Sequence, residues 1–406
     1  MSHAKNSSPK IALAHDWLNQ MGGAENVLER LVELYPGAPV FTTIYGPELM
    51  PEAYRRWDIR PTWLNRAPAI HRHHQPYLPL YPAAVASMDF GGYDLILSNK
   101  SGFIHGLRHT AQQLHICYCL APTRYVWDYG NYAAREGFGN WLGWLIGPVI
   151  RRLRQWDFEA AQRPSPCPLP TREGESKDAS PPLRGGLRGG KGVHHFIAIS
   201  KDIQARIKKY YGRDSIIIYP PVDTTQFRPL PAGQSPGDFY LVVSRLIPYK
   251  RIDLAVQALT RLGRRLIIVG DGRDRARLEA LAGPTVEFKG RLPGEAVADL
   301  MANCRAFLFP GFEDFGIAPV EAQAAGRPVI AFGRGGALDT VTEGQTGLFF
   351  REQSVEALIE AIEQFERLLF DPAAARVNAE RFSVERFKRE LGDFVAQKWQ
   401  EFKSQE

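Results

Sequence analysis

The chain has 406 residues, a formal net charge of +6, 44% hydrophobic and 23% charged residues. That length is too great for one ordinary core, and at roughly 150 residues per domain it implies two or three domains, with two as the working count. The positive balance favours an anionic partner, whether nucleotide phosphate, an acidic lipid surface or nucleic acid, and does not choose among them.

The N-terminal stretch MSHAKNSSPK lacks the apolar core of a signal peptide, and no run approaches the roughly 18 apolar residues of a membrane span, so the expected location is the cytoplasm. From there, short apolar runs alternate with amphipathic ones. IALAHDW, VFTTIY, YDLILS, LHICYCL, FIAIS and SIIIYPP read as buried strands, and AENVLERLVELY as a helix between the first two. Of the four cysteines, Cys117 and Cys119 lie in an apolar run without histidine at metal-ligand spacing, which predicts buried thiols in a reducing compartment rather than a zinc site. A second series follows PLPAGQSPGD: FYLVVS, RLIIVG, TVEFKG, AFLFPG and PVIAF, separated by helices such as RIDLAVQALTRL and SVEALIEAIEQFERLL. Continuously apolar strands separated by helices predict parallel sheets covered on both faces. The expectation is therefore two doubly wound α/β domains joined near residues 223 to 238, with a final helix over 386–406. The segment from Pro164 to Gly192 is rich in Pro, Gly and Arg and almost free of large apolar residues, and reads as a disordered surface insertion.

The stretch FPGFEDFGIAPVEAQAAGRPVIA holds the densest chemistry. A helix starting with Pro319 at its first position and ending before Gly326 puts Glu313 at the carboxyl end of a strand and Glu321 in the first helical turn. In an open parallel sheet that edge is where ligands bind. Phe315, Gly316 and Ile317 between them offer backbone N–H groups at a helix N-terminus. Glu321 also has an ordinary reading, because a glutamate at the third helical position stabilises free N–H groups without any ligand. Glu313 has no such explanation: it must be solvated, paired or used. On the same strand edges lie Gly22 and Gly23, then Arg245 and Lys250 flanking Pro248, and finally Gly270 and Gly272. Singly, the two cations read as a solvated surface pair and the glycines as turns.

As a set, SRLIPYK, GDG, FKGRLPGEAVADLMANCRAFLFPGFEDFGIAPVEAQAAGRPVIA and TGLFF resemble the retaining glycosyltransferases of family 4. HDWLNQMGGAENVLERL and YCLAPTRYVWDY carry the likeness into the N-terminal half, so it covers nearly all of the chain except the insertion. It implies the GT-B architecture, two Rossmann-like domains facing a central cleft, with an acceptor-side domain over 1–230 and a nucleotide-sugar domain over 231–385. The last helix is then expected to cross back onto the N-terminal domain. It also implies that Glu313 contacts donor-sugar hydroxyls and that Glu321 holds the ribose. Arg245 and Lys250 grip the diphosphate, with Gly22 and Gly23 approaching it from the other domain. His15, His105 and Arg124 are the acceptor-side candidates. Relatives commonly carry histidine and threonine where this chain has Leu120 and Ala121, which leaves altered donor choice, slower chemistry or inactivity open. The chain contains no Asp-x-Asp triplet, so transfer is expected without a metal or other cofactor, from a nucleotide sugar such as GDP-mannose.

The acceptor is expected to be a saccharide or lipid-linked saccharide in cell-surface polysaccharide or glycolipid assembly. The stretch from Asn140 to Phe158 mixes Trp141, Trp144 and Trp156 with Arg151, Arg152 and Arg154, a pattern fit for the anionic inner face of a membrane, or simply for a helix packed on its domain. Three competing functions remain at this point. A glycosidase would need paired carboxylates but not the cations. A catalytically silent sugar-nucleotide binder would share every binding residue. A nucleic-acid binder would explain only the charge.

Overall fold

The computed structural model describes residues 8–128, 140–164, 190–231 and 233–405. It divides into two compact units, Met1–Ile199 with Ile203–Ile218 and Glu390–Glu406, and Ser200–Asp202 with Tyr219–Arg389.

The first unit is built on β1 (Ile11–His15), β2 (Val40–Thr42), β3 (Ile59–Pro61), β4 (Leu95–Lys100), β6 (Leu114–Cys119), β8 (His195–Ala198) and β9 (Ser215–Ile217). They form one sheet in the order β3-β2-β1-β4-β6-β8-β9, and every pair in it is parallel. Its central strands β4 and β6 are buried along their whole length, as their unbroken apolar runs require of a sheet covered on both faces. Among the described residues it is accompanied by α1 (Gly23–Leu34), α2 (Tyr81–Ala86), α3 (Arg124–Trp127), α4 (Asn140–Ala160) and α5 (Lys201–Tyr211). Helix α1 lays Val27, Leu28 and Leu31 into the core, an apolar stripe at helical spacing. The buried Asp16 carboxylate, just past β1, accepts four backbone N–H bonds of 2.6–2.8 Å from Ser101, Gly102, Phe103 and Ile104, so the turn after β4 is held by one side chain. Cys117 and Cys119 are free, buried thiols, as expected.

Residues 165–189, the bulk of the expected insertion, lie outside the described residues. Its edges are anchored. β5 (Arg108–His109) pairs antiparallel with β7 (Gly190–Lys191), and the Gly192 carbonyl accepts from both His109 Nε2 (3.1 Å) and His115 Nδ1 (2.7 Å). Gly192 has φ +141, and a Cβ there would stand 2.7 Å from the Gln162 carbonyl and 3.0 Å from the Pro164 Cα, so the segment leaves and re-enters at one place.

The second unit is a parallel sheet of β10 (Tyr240–Val243), β11 (Leu266–Val269), β12 (Val286–Gly290), β13 (Ala306–Phe309), β14 (Val329–Phe332) and β15 (Gly347–Phe350), in the order β12-β11-β10-β13-β14-β15. Around it run α6 (Ile252–Leu262), α7 (Arg275–Leu281), α8 (Gly294–Asn303), α9 (Ile317–Ala324), α10 (Ala337–Thr340), α11 (Val355–Phe365) and α12 (Pro372–Glu380). The apolar faces of α6 and α11 close one side over Tyr240, Val242, Ile268, Leu308 and Ile330. The last helix, α13 (Val384–Lys403), passes from the second unit to the first after Arg389. Phe387, Leu391, Val395 and Trp399 are its buried face.

The boundary differs from the expectation. Apart from Ser200–Asp202, the second unit runs from Tyr219, four residues before the 223–238 expected for the junction. Val222 bridges to Ser383, the Arg376 guanidinium donates to the Thr224 and Phe227 carbonyls at 2.7 Å each, and the Gly237 N–H reaches the Asn303 carbonyl at 2.7 Å. Hydrogen bonds to α8, α12 and the residue before α13, invisible in composition, fasten this segment to the second unit.

Candidate functional site

The second sheet changes its direction of growth between β10 and β13, and the loops leaving the carboxyl ends of those neighbouring strands are where an open α/β sheet seats a ligand. Lys250 ends the single 3-10 turn Pro248–Lys250 after β10; Glu313 lies four residues beyond β13. Lys250 Nζ and Glu313 Oε1 form an ion pair there, with the two side chains only 15% and 19% exposed. Arg251 follows with φ +51, a left-handed conformation that a non-glycine residue adopts at a cost of order 1 kcal/mol. The turn that presents Lys250 is thus held by its surroundings. Arg245 lies two residues beyond β10 with an exposed side chain.

Three glycine turns pack around this pair, each at a strand's carboxyl end. A Cβ on Gly270, where φ is +127, would stand 1.9 Å from the Ser244 carbonyl oxygen, and one on Gly272 would stand 2.2 Å from that of Leu246. The turn after β11 is therefore laid directly against the Arg245 loop, with Leu246 N–H donating to the Asp271 carbonyl at 3.0 Å. Gly311 approaches the Lys250 backbone, its Cβ position 2.9 Å from the carbonyl oxygen. Gly335 and Gly336, after β14, close on the Glu313 loop: the Gly336 N–H donates to the Glu313 carbonyl at 2.9 Å, and a Cβ there would lie 2.2 Å from the Phe315 Cα. The sequence reading missed this last pair. Its signal was the same one used elsewhere, glycines directly after an apolar strand.

Helix α9 starts at Ile317, because Gly316 with φ +91 closes the turn two residues earlier than Pro319 suggested. Pro319 is tolerated at the third position because the first four N–H groups of a helix have no intrahelical partner. Glu321 is consequently the fifth helical residue, beyond the position of a capping glutamate, and the ordinary explanation of its carboxylate is removed. Burial, reinforced by the Asp223 carboxylate, pushes its carboxyl up to about 7. At the other end of α9, Arg327 N–H bonds the Ala322 carbonyl and Gly326 N–H the Gln323 carbonyl, with Gly326 at φ +72, a Schellman stop. Gly316 and Ile317 are partly exposed at the helix N-terminus, whereas the Phe315 ring is enclosed against Tyr219 and Phe382. Any donor contact from Phe315 is therefore through its main chain.

The first-unit candidates separate into reachable and enclosed groups. Gly22 caps α1 in an extended conformation, and its Cβ position lies 3.3 Å from Glu25 Oε2. His15, at the end of β1, is buried, with Nε2 3.4 Å from Glu25 and Nδ1 3.3 Å from the Asn99 amide. Arg124 begins α3 and is partly exposed, as is Leu120. The expectation of an acceptor-side role for His105 is corrected: its ring is fully enclosed, stacks on Tyr211 at 5.9 Å, and Nε2 donates to the Asp157 carbonyl. Burial lowers its pKa to about 4, the neutral state of a packing residue. His115 is enclosed likewise, against Ser98.

Residues 225–380 match the family model of glycosyl transferases group 1. That segment contains Lys250, Glu313, Glu321 and the glycine turns around them. A GDP-mannose-dependent alpha-mannosyltransferase of Mycolicibacterium smegmatis is 38% identical over 120 residues, 29% of this chain and 32% of that protein. A GDP-mannose-dependent alpha-(1-6)-phosphatidylinositol monomannoside mannosyltransferase of Mycobacterium tuberculosis is 33% identical over 204 residues, 43% of this chain and 53% of that one. The chain thus spans from a third to about half of the length of these curated relatives. Among solved structures, Anabaena HepE in complex with UDP superposes with a TM-score of 0.64 at 18% identity, over 96% of this chain and 100% of that one. Two Rossmann-like domains with this neighbour make the fold GT-B.

Proposed function

We propose that this chain is a retaining, metal-independent glycosyltransferase that moves a hexose, mannose in the first instance, from a nucleoside diphosphate sugar such as GDP-mannose to a saccharide or lipid-linked acceptor in cell-surface polysaccharide or glycolipid synthesis. The observation that carries this reading is the Lys250–Glu313 ion pair at the switch point of the second sheet. A glycosyl donor breaks its anomeric bond when charge on the departing diphosphate is stabilised, and a preorganised cation in a water-poor site supplies that stabilisation. Glu313 holds the Lys250 ammonium in place until phosphate oxygens share it. The carboxylate then becomes available to sugar hydroxyls. Arg245 adds a second cation from the same loop, Gly316 and Ile317 offer N–H groups, and Glu321 accepts from ribose hydroxyls. The Gly22–Gly23 turn contributes from the first domain, and Arg124 and His15 belong to the acceptor side.

The mannosyl donor named for the relatives supports GDP-mannose as the first candidate. Thermal shifts with GDP, UDP and ADP, followed by product analysis with the matching hexose donors, test the reading. Stabilisation by one nucleotide and transfer with retained anomeric configuration are expected; the absence of both defeats it. Turnover that is lost with chelator and restored by magnesium or manganese would refute metal independence. Leu120, just past β6 at the place where the family resemblance implies histidine, favours a second reading, a silent sugar-nucleotide binder. Nucleotide binding without hydrolysis or transfer would select it.

We place the protein in the cytoplasm, with peripheral membrane contact through 140–158. Among the described residues no helix is long and apolar enough to cross a membrane. Arg151 and Arg152 are exposed, while Trp156 packs inward on Phe103 at 5.8 Å; the side chains of Trp141 and Trp144 lie outside the described residues. Salt-sensitive sedimentation with anionic vesicles is the expected result, and its absence removes the membrane contact.

A further inference from the structure

The chain passes between its two units at three places: around Ser200–Asp202, at Ile218–Tyr219 and at Arg389–Glu390. Lys201 and Tyr219, at the first two, meet on Asp339, and Arg386, near the third, meets Tyr219. Asp339, on α10, accepts the backbone N–H of Lys201, first residue of α5, on Oδ2 at 2.9 Å, and the Tyr219 hydroxyl on Oδ1 at 3.2 Å. The Tyr219 carbonyl in turn accepts from the Arg386 guanidinium at 2.8 Å, in the first turn of α13. Asp339 is 5% exposed.

The same pair reaches the Glu313 loop. The Tyr219 ring stacks on Phe315 (centroids 6.0 Å apart, planes at 29°), with Phe382 edge-on to both at 5.2 and 5.6 Å. On the Asp339 side, α10 follows directly on Gly335 and Gly336, whose backbone lies against Glu313 and Phe315. The far end of α10 is fixed too, since the Thr340 carbonyl accepts from Gln323 Nε2 and Asn378 Nδ2, both at 2.8 Å. Glu313 and the chain passages are therefore attached to one packed block with few independent degrees of freedom. Close-packed interiors transmit displacement rather than absorb it.

We propose that Tyr219 and Asp339 are positioning residues for the loop that carries Glu313, tying its geometry to the passages between the units. This rests on the donor-site reading above. Under it, ordering of the loop by a nucleotide also orders the first turn of α5 and residues 219–223. The two side chains touch neither sugar nor phosphate. They act through Phe315 and Gly336.

Hydrogen exchange on the full chain, with and without GDP or UDP, tests this in the wild type, Tyr219→Phe and Asp339→Asn. In the wild type the nucleotide is expected to slow exchange at 313–316 and also at 201–203 and 219–223. Tyr219→Phe, which keeps the ring and deletes only the hydroxyl, is expected to retain the wild-type melting behaviour, to bind the nucleotide about tenfold more weakly, the scale of one lost hydrogen bond, and to lose the protection at 201–203. Asp339→Asn should do the same more strongly; if it does not fold, Tyr219→Phe decides. Wild-type protection confined to 313–316, or unchanged nucleotide-dependent protection in Tyr219→Phe, overturns the proposal while leaving the donor site intact. A general rise in exchange without loss of the nucleotide-dependent difference shows a purely structural role and overturns it too. No binding to the wild type defeats both readings.

Discussion

Glu321 illustrates how one side chain ties stability to the site. Its carboxyl is raised from the ordinary value of 4.5 to about 7 by burial and by Asp223. The folded state therefore holds this proton where the unfolded chain has released it. Below pH 4.5 both states are protonated and the partly exposed carboxyl is tolerated; as pH rises towards 7 folding must retain a proton or hold a charge in a partly desolvated setting, so stability falls through that window and the loss is complete above it. The limiting size is about 3 kcal/mol. In urea denaturation across pH 4 to 8, Glu321→Gln is expected to lack this component, so the difference between variant and wild type grows in favour of the variant as pH rises. A pH-independent difference would show that Glu321 titrates normally. Lys250→Met removes the cation at the switch point and is expected to lower transfer by a factor of about 10² to 10³ while keeping the fold; steady-state rates beside circular dichroism check it. The wild-type rate in that variant would mean that the phosphate charge is met elsewhere.

At the scale of elements, the strand-to-turn junctions divide into those where glycine is required by the backbone and those where it is not. Gly270→Ala would drive a methyl to 1.9 Å from a carbonyl oxygen at φ +127. A loss of more than about 2 kcal/mol is expected, since no flexible side chain can yield. Gly22→Ala meets only the end of the Glu25 side chain at 3.3 Å, with an extended backbone, and should cost less than about 1 kcal/mol. Its effect should appear in donor affinity instead. Denaturation midpoints and nucleotide titrations on the two variants separate these outcomes, and an equally unstable Gly22→Ala would make that turn structural. Helix α9 shows the limit of local reading. Pro319 is a fair marker of a helix start, yet the left-handed Gly316 begins the helix at Ile317, and that shift changes what Glu321 is.

At the scale of the molecule, the two sheets repeat one plan, each with a switch point between strands that are neighbours in space but not in sequence. Because Gly192 returns against Pro164 and Val193 N–H bonds the Gln162 carbonyl at 2.9 Å, replacing 165–189 by a short Gly-Ser bridge is expected to leave the melting temperature within about 2 °C, as loop-closure entropy varies slowly with length. A larger fall would mean that those residues contribute to the fold.

By itself, the sequence determined what depends on periodicity and on the local chemistry of turns. Unbroken apolar runs and amphipathic helices specified two parallel sheets, and glycines after strands marked the carboxyl edges of both. Arg245, Lys250, Glu313 and Glu321 were placed on one edge by that logic alone. Tertiary structure decided which side chains meet: that Lys250 is held by Glu313, that His105 is enclosed, that Tyr219 stacks on Phe315 and bonds Asp339, and that the stretch from Tyr219 packs with the second sheet's unit. Residues dozens to hundreds of positions apart make these contacts, and their register follows from packing and backbone hydrogen bonds that no local pattern encodes.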